Sequence, residues 1–289
     1  MTAPPATPAR SSDITAAEGR RAAERRIFPF AVATGTVPGR MAARTPVLPF
    51  DLAAALEYLG ARDERLRRLI AETVPFRLEI ERVRSPYETL LKSIVYQSIS
   101  GKAAATIFAR IMALGGNGRA PTPDEMLKLR SPVLRKAGLS GAKILAMKDL
   151  ARKTLAGVVP TLELAHEMSD EELVERLVSV RGIGVWSVEM FLIFRLGRPD
   201  VLPIHDLGVR KGWSLTYGTP ALPKPKELLA FGERWRPYRT VASWYMWRAV
   251  ERAGHAATNR RAVRRSQPRS ERARRSRSLL SGDQTFSRS

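Results

Sequence analysis

The chain has 289 residues, contains no cysteine, and carries 49 Lys and Arg against 28 Asp and Glu, which gives a net charge of +21. The lack of cysteine excludes disulfides, cysteine-ligated zinc and iron–sulfur clusters, and no apolar run is long enough to cross a membrane. A charge this positive is typical of a protein that binds a polyanion such as nucleic acid.

The first segment, residues 1–45, is rich in Ala, Pro, Thr and Arg and shows no sustained period, so we predict a disordered or extended arm. From Asp51 to Arg252 the apolar pattern is helical nearly throughout, and we predict a helical domain over residues 46–254. No alternation of strands and helices appears, which predicts an all-α domain. One segment, FRLEIERV at 76–83, alternates and could form a short strand.

Three helix starts carry capping residues. Ser85, Thr122 and Ser169 are each followed three residues later by an acidic residue, a pattern typical of a helix N-cap. The first of these helices breaks at QSISGK, residues 97–102. Further along, glycines at 138 and 157 follow apolar helical runs and predict two helix ends.

The stretch RGIGVWSVEM, residues 181–190, joins two predicted helices, 171–178 and 185–196. A turn this tight needs backbone angles that glycine adopts easily, and Gly182 and Gly184 supply them. Ile183 can then point into the seam between the helices. The amide groups exposed at the start of the second helix suit a DNA phosphate, although an ordinary helix corner explains the glycines equally well.

The last predicted helix, 241–251, stops before Gly254. Residues 255–289 are rich in arginine and poor in apolar groups, so we predict a basic disordered tail. Such a tail attracts phosphates; the alternative is a solvated terminus without a partner.

Two segments together, LVSVRGIGVWSVEMFLIF and the following RPDVLPIHDLGVRKG, resemble the helix-hairpin-helix (HhH-GPD) DNA glycosylase superfamily. YETLLKSIVYQSISGKAAATIFARI and LRKAGLSGAKILAMKDLA are similar to other segments of its 3-methyladenine DNA glycosylase II branch. The resemblance runs from about Asp51 to Arg252. It implies two helical subdomains with a cleft between them, and we expect a compact version without the family's extra N-terminal β domain.

The same resemblance makes Asp206 the catalytic carboxylate. A carboxylate beside the sugar stabilises the positive charge that develops when the N-glycosidic bond breaks. An alkylated purine is already cationic and leaves without a general acid, so one carboxylate suffices. The alternative is that Asp206 only caps the next helix. His205 stands where relatives carry an acidic residue, and we expect it to face solvent.

The base pocket is predicted to contain Trp186, Tyr238 and Met190. Trp186 occupies the position of the nucleophilic lysine in lyase-active relatives, so strand cleavage is not expected. Its ring can stack on a cationic base. We expect the flipped base to lie between Trp186 and Asp206, although all three pocket residues could instead be core residues.

Predicted DNA contacts come from the hairpin and from the helix break: Gly182, Gly184, Ser187, Gln97 and Ser98. Relatives insert a side chain from the break into the DNA, and because serine is a poor wedge, Gln97 or Ile99 could take that part. Ser100 is expected to cap the next helix. The resemblance also implies a monovalent cation, Na⁺ or K⁺, bound by the backbone carbonyls of Val178, Val180 and Ile183, and no other cofactor.

These features predict a monofunctional DNA glycosylase that flips out and hydrolyses alkylated purines of the 3-methyladenine type in base excision repair. Its expected partner is double-stranded DNA, with no membrane association and a monomeric state. We expect it in the cytoplasm at the nucleoid if bacterial and in the nucleus if eukaryotic. The alternatives are a non-catalytic helix-hairpin-helix DNA-binding protein and a bifunctional oxidised-base glycosylase/lyase.

Overall fold

Every regular element is helical within residues 48–80 and 85–266, the part of the chain that the computed structural model describes. The all-α prediction is therefore confirmed, and the predicted arm, 1–45, lies outside these residues. The α-helices are α1 (Leu52–Arg62), α2 (Glu64–Ala71), α3 (Pro86–Tyr96), α4 (Gly101–Leu114), α5 (Pro123–Lys128), α6 (Ser131–Lys136), α7 (Gly141–Leu155), α8 (Leu162–Glu167), α9 (Asp170–Val178), α10 (Val185–Phe191), α11 (Leu207–Tyr217), α12 (Pro225–Gly232) and α13 (Arg239–Ser266). A π-helix, Leu192–Leu196, continues α10, and a 3₁₀ turn, Glu233–Trp235, follows α12.

The predicted helix starts are confirmed by their caps. Ser85 accepts the amide of Glu88 at 3.2 Å, and Ser169 accepts that of Glu172 at 3.1 Å. Thr122 forms a full capping box, in which the Glu125 carboxylate also accepts the Thr122 amide. Polar residues thus satisfy the amides that a helix start leaves without an intrahelical partner.

The alternating segment after α2 is not a strand. Phe76 and Leu78 are buried and Arg77 and Glu79 exposed, as the alternation indicates, but Phe76–Ile80 has no strand partner among the described residues, and 81–83 lie outside them. The Phe76 ring instead packs on Trp244, with 4.9 Å between ring centroids. Alternation shows that one side of an extended chain is buried, and here a helix covers that side.

The last helix is longer than predicted. Instead of stopping before Gly254, α13 continues to Ser266, so the prediction of its end is wrong, and the predicted tail is helical from 255 to 266. Glycine within a helix costs about 1 kcal/mol relative to alanine, which weakens a helix without ending it. The rest of the predicted tail, 267–289, lies outside the described residues.

Two groups of helices meet at the predicted site. In the first group, α3, α5 and α6 pack on α7, α4 packs on α3, and α10 joins them through α3 and also packs on α9. In the second group, α1, α2 and α11 pack on α13, and the 3₁₀ turn packs on α1 and α12. Helix α10 carries Trp186, and Asp206 precedes α11. The chain therefore brings residues from both groups together at this junction.

Candidate active site

Asp206 is the N-cap of α11 and is 9% exposed. Its Oδ1 atom accepts the amide of Val209 at 2.8 Å, which is the capping bond. The same oxygen accepts the indole N–H of Trp247 at 2.8 Å, and Oδ2 accepts that of Trp186 at 2.8 Å. The carboxyl group thus does more than cap the helix, because two indoles converge on it from other elements.

Trp186 and Asp206 touch each other, so their proximity in the fold agrees with the sequence prediction. The expected arrangement, with a base between the two side chains, does not fit a direct bond of 2.8 Å. Trp186 is only partly buried. The carboxylate contacts the edge of the indole, and the stacking of a base on the face of Trp186 stays a prediction.

Glu189, which the sequence reasoning missed, lies one turn after Trp186 on α10 and is 8% exposed. Burial, and secondarily the negative charge of Asp206, raises the pKa of Glu189 to about 8. Its Oε2 atom has no hydrogen-bond partner among the described residues. Glu189 is therefore protonated at neutral pH and adds no second negative charge beside Asp206. An acidic residue inside the apolar run VWSVEMFLIF was the signal that could have identified it.

Trp247 was also missed as a site residue, because a tryptophan in an apolar helix normally indicates a core position. It is 4% exposed on α13, and its ring stacks on that of Phe194, with 5.7 Å between centroids and 24° between planes. No pattern in the sequence links residue 247 to residue 206, and only the packing of α13 on α11 brings them together.

The hairpin between α9 and α10 contains a tight turn. The Ile183 amide donates to the Val180 carbonyl at 3.0 Å, and Gly182 has a φ of +80°. These values match a type II β-turn, whose third residue requires a positive φ. Gly184 has a φ of −105°, which any residue adopts, and Ile183 is buried in the seam as predicted. The turn therefore depends on one glycine rather than two.

The hairpin is held by side chains from α3 and α7. Gln97 Nε2 donates to the Gly182 carbonyl at 2.8 Å, and the Asp149 carboxylate accepts the Arg181 amide at 2.8 Å. That amide bond is the main reason why the pKa of Asp149 is lowered. The Lys153 ammonium group donates to the carbonyl of Ser179. The turn is thereby fixed at several backbone positions.

The break between α3 and α4 lies beside the hairpin. Lys143 on α7 donates to the carbonyls of Val95 at 2.6 Å and Gln97 at 2.9 Å, and burial lowers the pKa of this lysine. Ser98 is exposed with a φ of +60°, and Ile99 is 38% exposed. The Gln97 amide is engaged with the hairpin, which favours Ile99 over Gln97 as the wedge, and Ser100 caps α4 as predicted.

Other predicted site residues lie in less direct positions. Ser187 is 7% exposed and its amide donates to the Gly184 carbonyl, so its predicted contact with DNA stays a prediction that the burial of its side chain does not favour. Met190 is 6% exposed and lines a small cavity against α3 with Ser187. Its place in the base pocket also stays a prediction, and this burial is what a core residue would show.

Tyr238 is half-buried and packs against two other aromatic rings. Its centroid lies 5.4 Å from that of Tyr58 and 6.4 Å from that of Phe50. No contact among the described residues joins it to Trp186 or Asp206, so its pocket role stays a prediction. His205 is exposed, as expected.

The predicted cation ligands are backbone carbonyls in and beside the hairpin. The Val180 carbonyl accepts the Ile183 amide, and a carbonyl oxygen has a second lone pair that can still bind a cation. The cation ligands therefore stay a prediction: the backbone carbonyls of Val178, Val180 and Ile183. Within the described part of the chain, no group of three His, Cys, Asp or Glu side chains is arranged to bind a metal. None of the described helices is both long enough and apolar enough to span a membrane.

The chain is similar in sequence to known DNA repair proteins. Residues 91–237 match the family model described as HhH-GPD superfamily base excision DNA repair protein. DNA-3-methyladenine glycosylase 1 of Schizosaccharomyces pombe is 37% identical over 207 residues, which cover 71% of this chain and 90% of that protein. A putative DNA-3-methyladenine glycosylase of Bacillus subtilis is 31% identical over 172 residues, covering 58% of this chain and 60% of that protein.

Solved structures agree with these sequence matches. The S. pombe 3-methyladenine DNA glycosylase, solved in complex with abasic DNA, aligns with a TM-score of 0.59 at 38% identity and covers 67% of this chain and 95% of that one. The DNA-3-methyladenine glycosidase of Bacillus halodurans aligns with a TM-score of 0.62 at 32% identity and covers 68% of this chain and 88% of that one.

Proposed function

The chain belongs to the HhH-GPD superfamily of base excision DNA repair proteins and is a DNA glycosylase of the 3-methyladenine type, and we propose that it releases alkylated purines by hydrolysis with Asp206 as the catalytic carboxylate. The observation that supports this role is the buried Asp206 carboxyl group, on which the indole N–H groups of Trp186 and Trp247 converge. The substrate in this proposal is duplex DNA with an alkylated purine, and the enzyme acts as a monomer.

The chemistry needs a fixed negative charge beside the sugar. When the bond between the sugar and an alkylated purine breaks, positive charge develops on the sugar, and a carboxylate in a site of low polarity stabilises it more than water would. Asp206 is 9% exposed and held by three hydrogen bonds, so it needs little reorganisation during the reaction. The carboxylate can also align the attacking water.

Trp186 supports the preference for cationic bases. A cationic purine on the face of an indole gains about 0.5–2 kcal/mol from cation–π attraction, and an uncharged normal purine does not. The resemblance to the superfamily also puts Trp186 at the position where a lyase would need its lysine, so we expect hydrolysis without strand cleavage.

Asp206→Asn tests the carboxylate. This change keeps the size of the side chain and removes its charge, so we expect the single-turnover rate of base release from alkylated duplex DNA to fall by at least about 100-fold. The affinity for the same DNA should stay near that of the wild type, because the hairpin is unchanged. Asp124→Asn, at an exposed position in the first turn of α5, is the matched control and should retain full activity.

The remaining outcomes of this assay separate the alternatives. Persistent base release by the Asp206→Asn variant would show that another group supplies the charge. Tight binding by the wild type without release would indicate a DNA-binding protein that is not an enzyme. Strand nicking without added base would indicate a lyase.

A further inference from the structure

The two oxygens of the Asp206 carboxyl group have different surroundings. Oδ1 accepts both the amide of Val209 and the indole N–H of Trp247, each at 2.8 Å. Oδ2 accepts the indole N–H of Trp186, the partly buried residue on which the base is proposed to stack. One oxygen is thus bound to the interior of the protein, and the other lies on the side of the proposed base site.

The contact between Trp247 and Asp206 depends on a close approach of α11 and α13. A Cβ atom on Gly208 would lie 2.7 Å from Cδ1 of Trp247, which is closer than non-bonded atoms approach. One turn later, a Cβ on Gly212 would lie 1.9 Å from the carbonyl oxygen of Met246. The two glycines therefore set the separation of these helices at the distance that lets the indole reach the carboxyl group.

A second contact holds the Trp247 indole through its ring face. Phe194 lies in the π-helix Leu192–Leu196, and its ring stacks on Trp247. A π-helix is rare and changes the direction in which side chains leave a helix, often beside functional sites. Here it follows directly after α10, which carries Trp186, so the same segment serves both indoles that bind Asp206.

We propose that Trp247 is a positioning residue for base release, which fixes Oδ1 of Asp206 through its indole N–H and leaves Oδ2 as the oxygen that faces the sugar or the attacking water. This inference rests on the proposed function of Asp206. Trp247 does not touch the base in this proposal; it acts only through the orientation of the carboxylate. A hydrogen bond to a charged acceptor in a buried site holds its partner strongly, so its loss should lower the rate of the reaction rather than the binding of DNA.

Trp247→Phe is the first test. Phenylalanine keeps an aromatic ring beside Phe194 but has no N–H, and we expect the single-turnover rate of base release to fall about 10- to 100-fold. The dissociation constant for the same DNA should stay near that of the wild type. Trp244→Phe is the matched control, because Trp244 is 5% exposed on the same helix and packs on Phe76 and Tyr245. The control loses the same atoms from an equally buried site and should retain its rate.

A spectroscopic measurement tests the bond itself without changing Trp247. The chain has five tryptophans, so the indole N–H region of a ¹H–¹⁵N spectrum should show five signals. Single Trp→Phe variants of the other four tryptophans assign their signals, and the fifth signal is that of Trp247. In Asp206→Asn, the signals of Trp186 and Trp247 should both shift. The signal of Trp235 should not, because its indole donates to Asp63.

The outcomes distinguish this inference from the proposed function. If Asp206→Asn abolishes release but Trp247→Phe behaves like Trp244→Phe, the positioning role is wrong and the function stands. If Asp206→Asn still releases the base, the function proposed for the carboxylate fails, and the inference fails with it. If Trp247→Phe does not fold, the Trp247 indole signal decides: a shift in Asp206→Asn supports the proposal, and an unchanged signal overturns it.

Discussion

At the scale of single residues, two acidic groups lie close together in different environments. Asp206 receives three hydrogen bonds, whereas Glu189 is buried with one oxygen that has no partner among the described residues. Burial raises the pKa of Glu189 to about 8, so this group stays neutral where Asp206 is proposed to act as an anion. Neighbouring carboxyl groups with different environments commonly have different protonation states in enzymes.

The burial of Glu189 predicts how stability depends on pH. The pKa of Glu189 is about 8 in the folded protein against an ordinary value of 4.5, so the folded state holds a proton that the unfolded state releases. Its contribution to stability is therefore lost as the pH rises from about 4.5 to 8, at roughly 1.4 kcal/mol for each pH unit. Glu189→Gln should remove this loss of stability at high pH, because glutamine does not ionise.

We expect Glu189→Gln to unfold at a higher temperature than the wild type at pH 8, and the difference to shrink as the pH falls towards 5. Thermal unfolding followed by circular dichroism across this range measures it. Glu175→Gln, at an exposed position on α9, is the control and should follow the wild type at every pH. A difference that is independent of pH would show that Glu189 is not buried as a neutral acid.

At the scale of the elements, the hairpin between α9 and α10 contains two glycines with different roles. Gly182 has a φ of +80°, and a Cβ on it would lie 3.3 Å from the Cβ of Ala146 on α7. Gly184 has an ordinary φ, and a Cβ there would meet no atom of the described residues within 4 Å. The first glycine avoids backbone strain in the turn, and the second leaves space at the start of α10.

A pair of alanine variants tests this division. Gly182→Ala should lower the free energy of unfolding by about 1–2 kcal/mol, because a residue with a Cβ is strained at positive φ. Gly184→Ala should leave stability unchanged but weaken the binding of DNA, because its methyl group would occupy the space that we predict for a phosphate. Urea denaturation and fluorescence anisotropy with duplex DNA measure the two effects. Unchanged DNA affinity in Gly184→Ala would contradict the predicted phosphate contact.

At the scale of the whole molecule, the positive charge is spread unevenly along the chain. Residues 267–289 contain six arginines and two acidic residues, a net charge of +4 (6 − 2). Binding to duplex DNA releases counterions, so the logarithm of the binding constant falls with the logarithm of salt concentration by about 0.9 for each phosphate contacted. A chain that ends at Ser266 should therefore show a shallower salt dependence than the full chain.

The measurement is a salt titration of DNA affinity for the full chain, the shortened chain and a full-length control in which the six arginines are changed to glutamine. If the arginines contact phosphates, the control should match the shortened chain. Equal slopes for all three would show that the tail takes no part in DNA binding. Base release at low salt should be similar in all three, because the site lies between α10, α11 and α13.

The helical class, the helix starts and the hairpin could be predicted from the amino-acid sequence, because each depends on local chemistry. Ser85, Thr122 and Ser169 cap their helices through residues three positions away, and Gly182 forms its turn with immediate neighbours. The predicted end of α13 was wrong because it also relied on a local signal. A single glycine is a weak signal for a helix end, and α13 continues through Gly254.

The surroundings of the Asp206 carboxyl group could not be predicted from the sequence, because they depend on how the helices pack. Trp186 is 20 residues before it and Trp247 is 41 residues after it. Their convergence depends on how closely α11 and α13 pack, and no local pattern encodes that distance. The pKa of Glu189 likewise depends on its burial by the surrounding elements and on the charge of Asp206. Hydrogen bonding between distant residues and the removal of water are properties of the packed chain, which is why they appear only once the helices are in place.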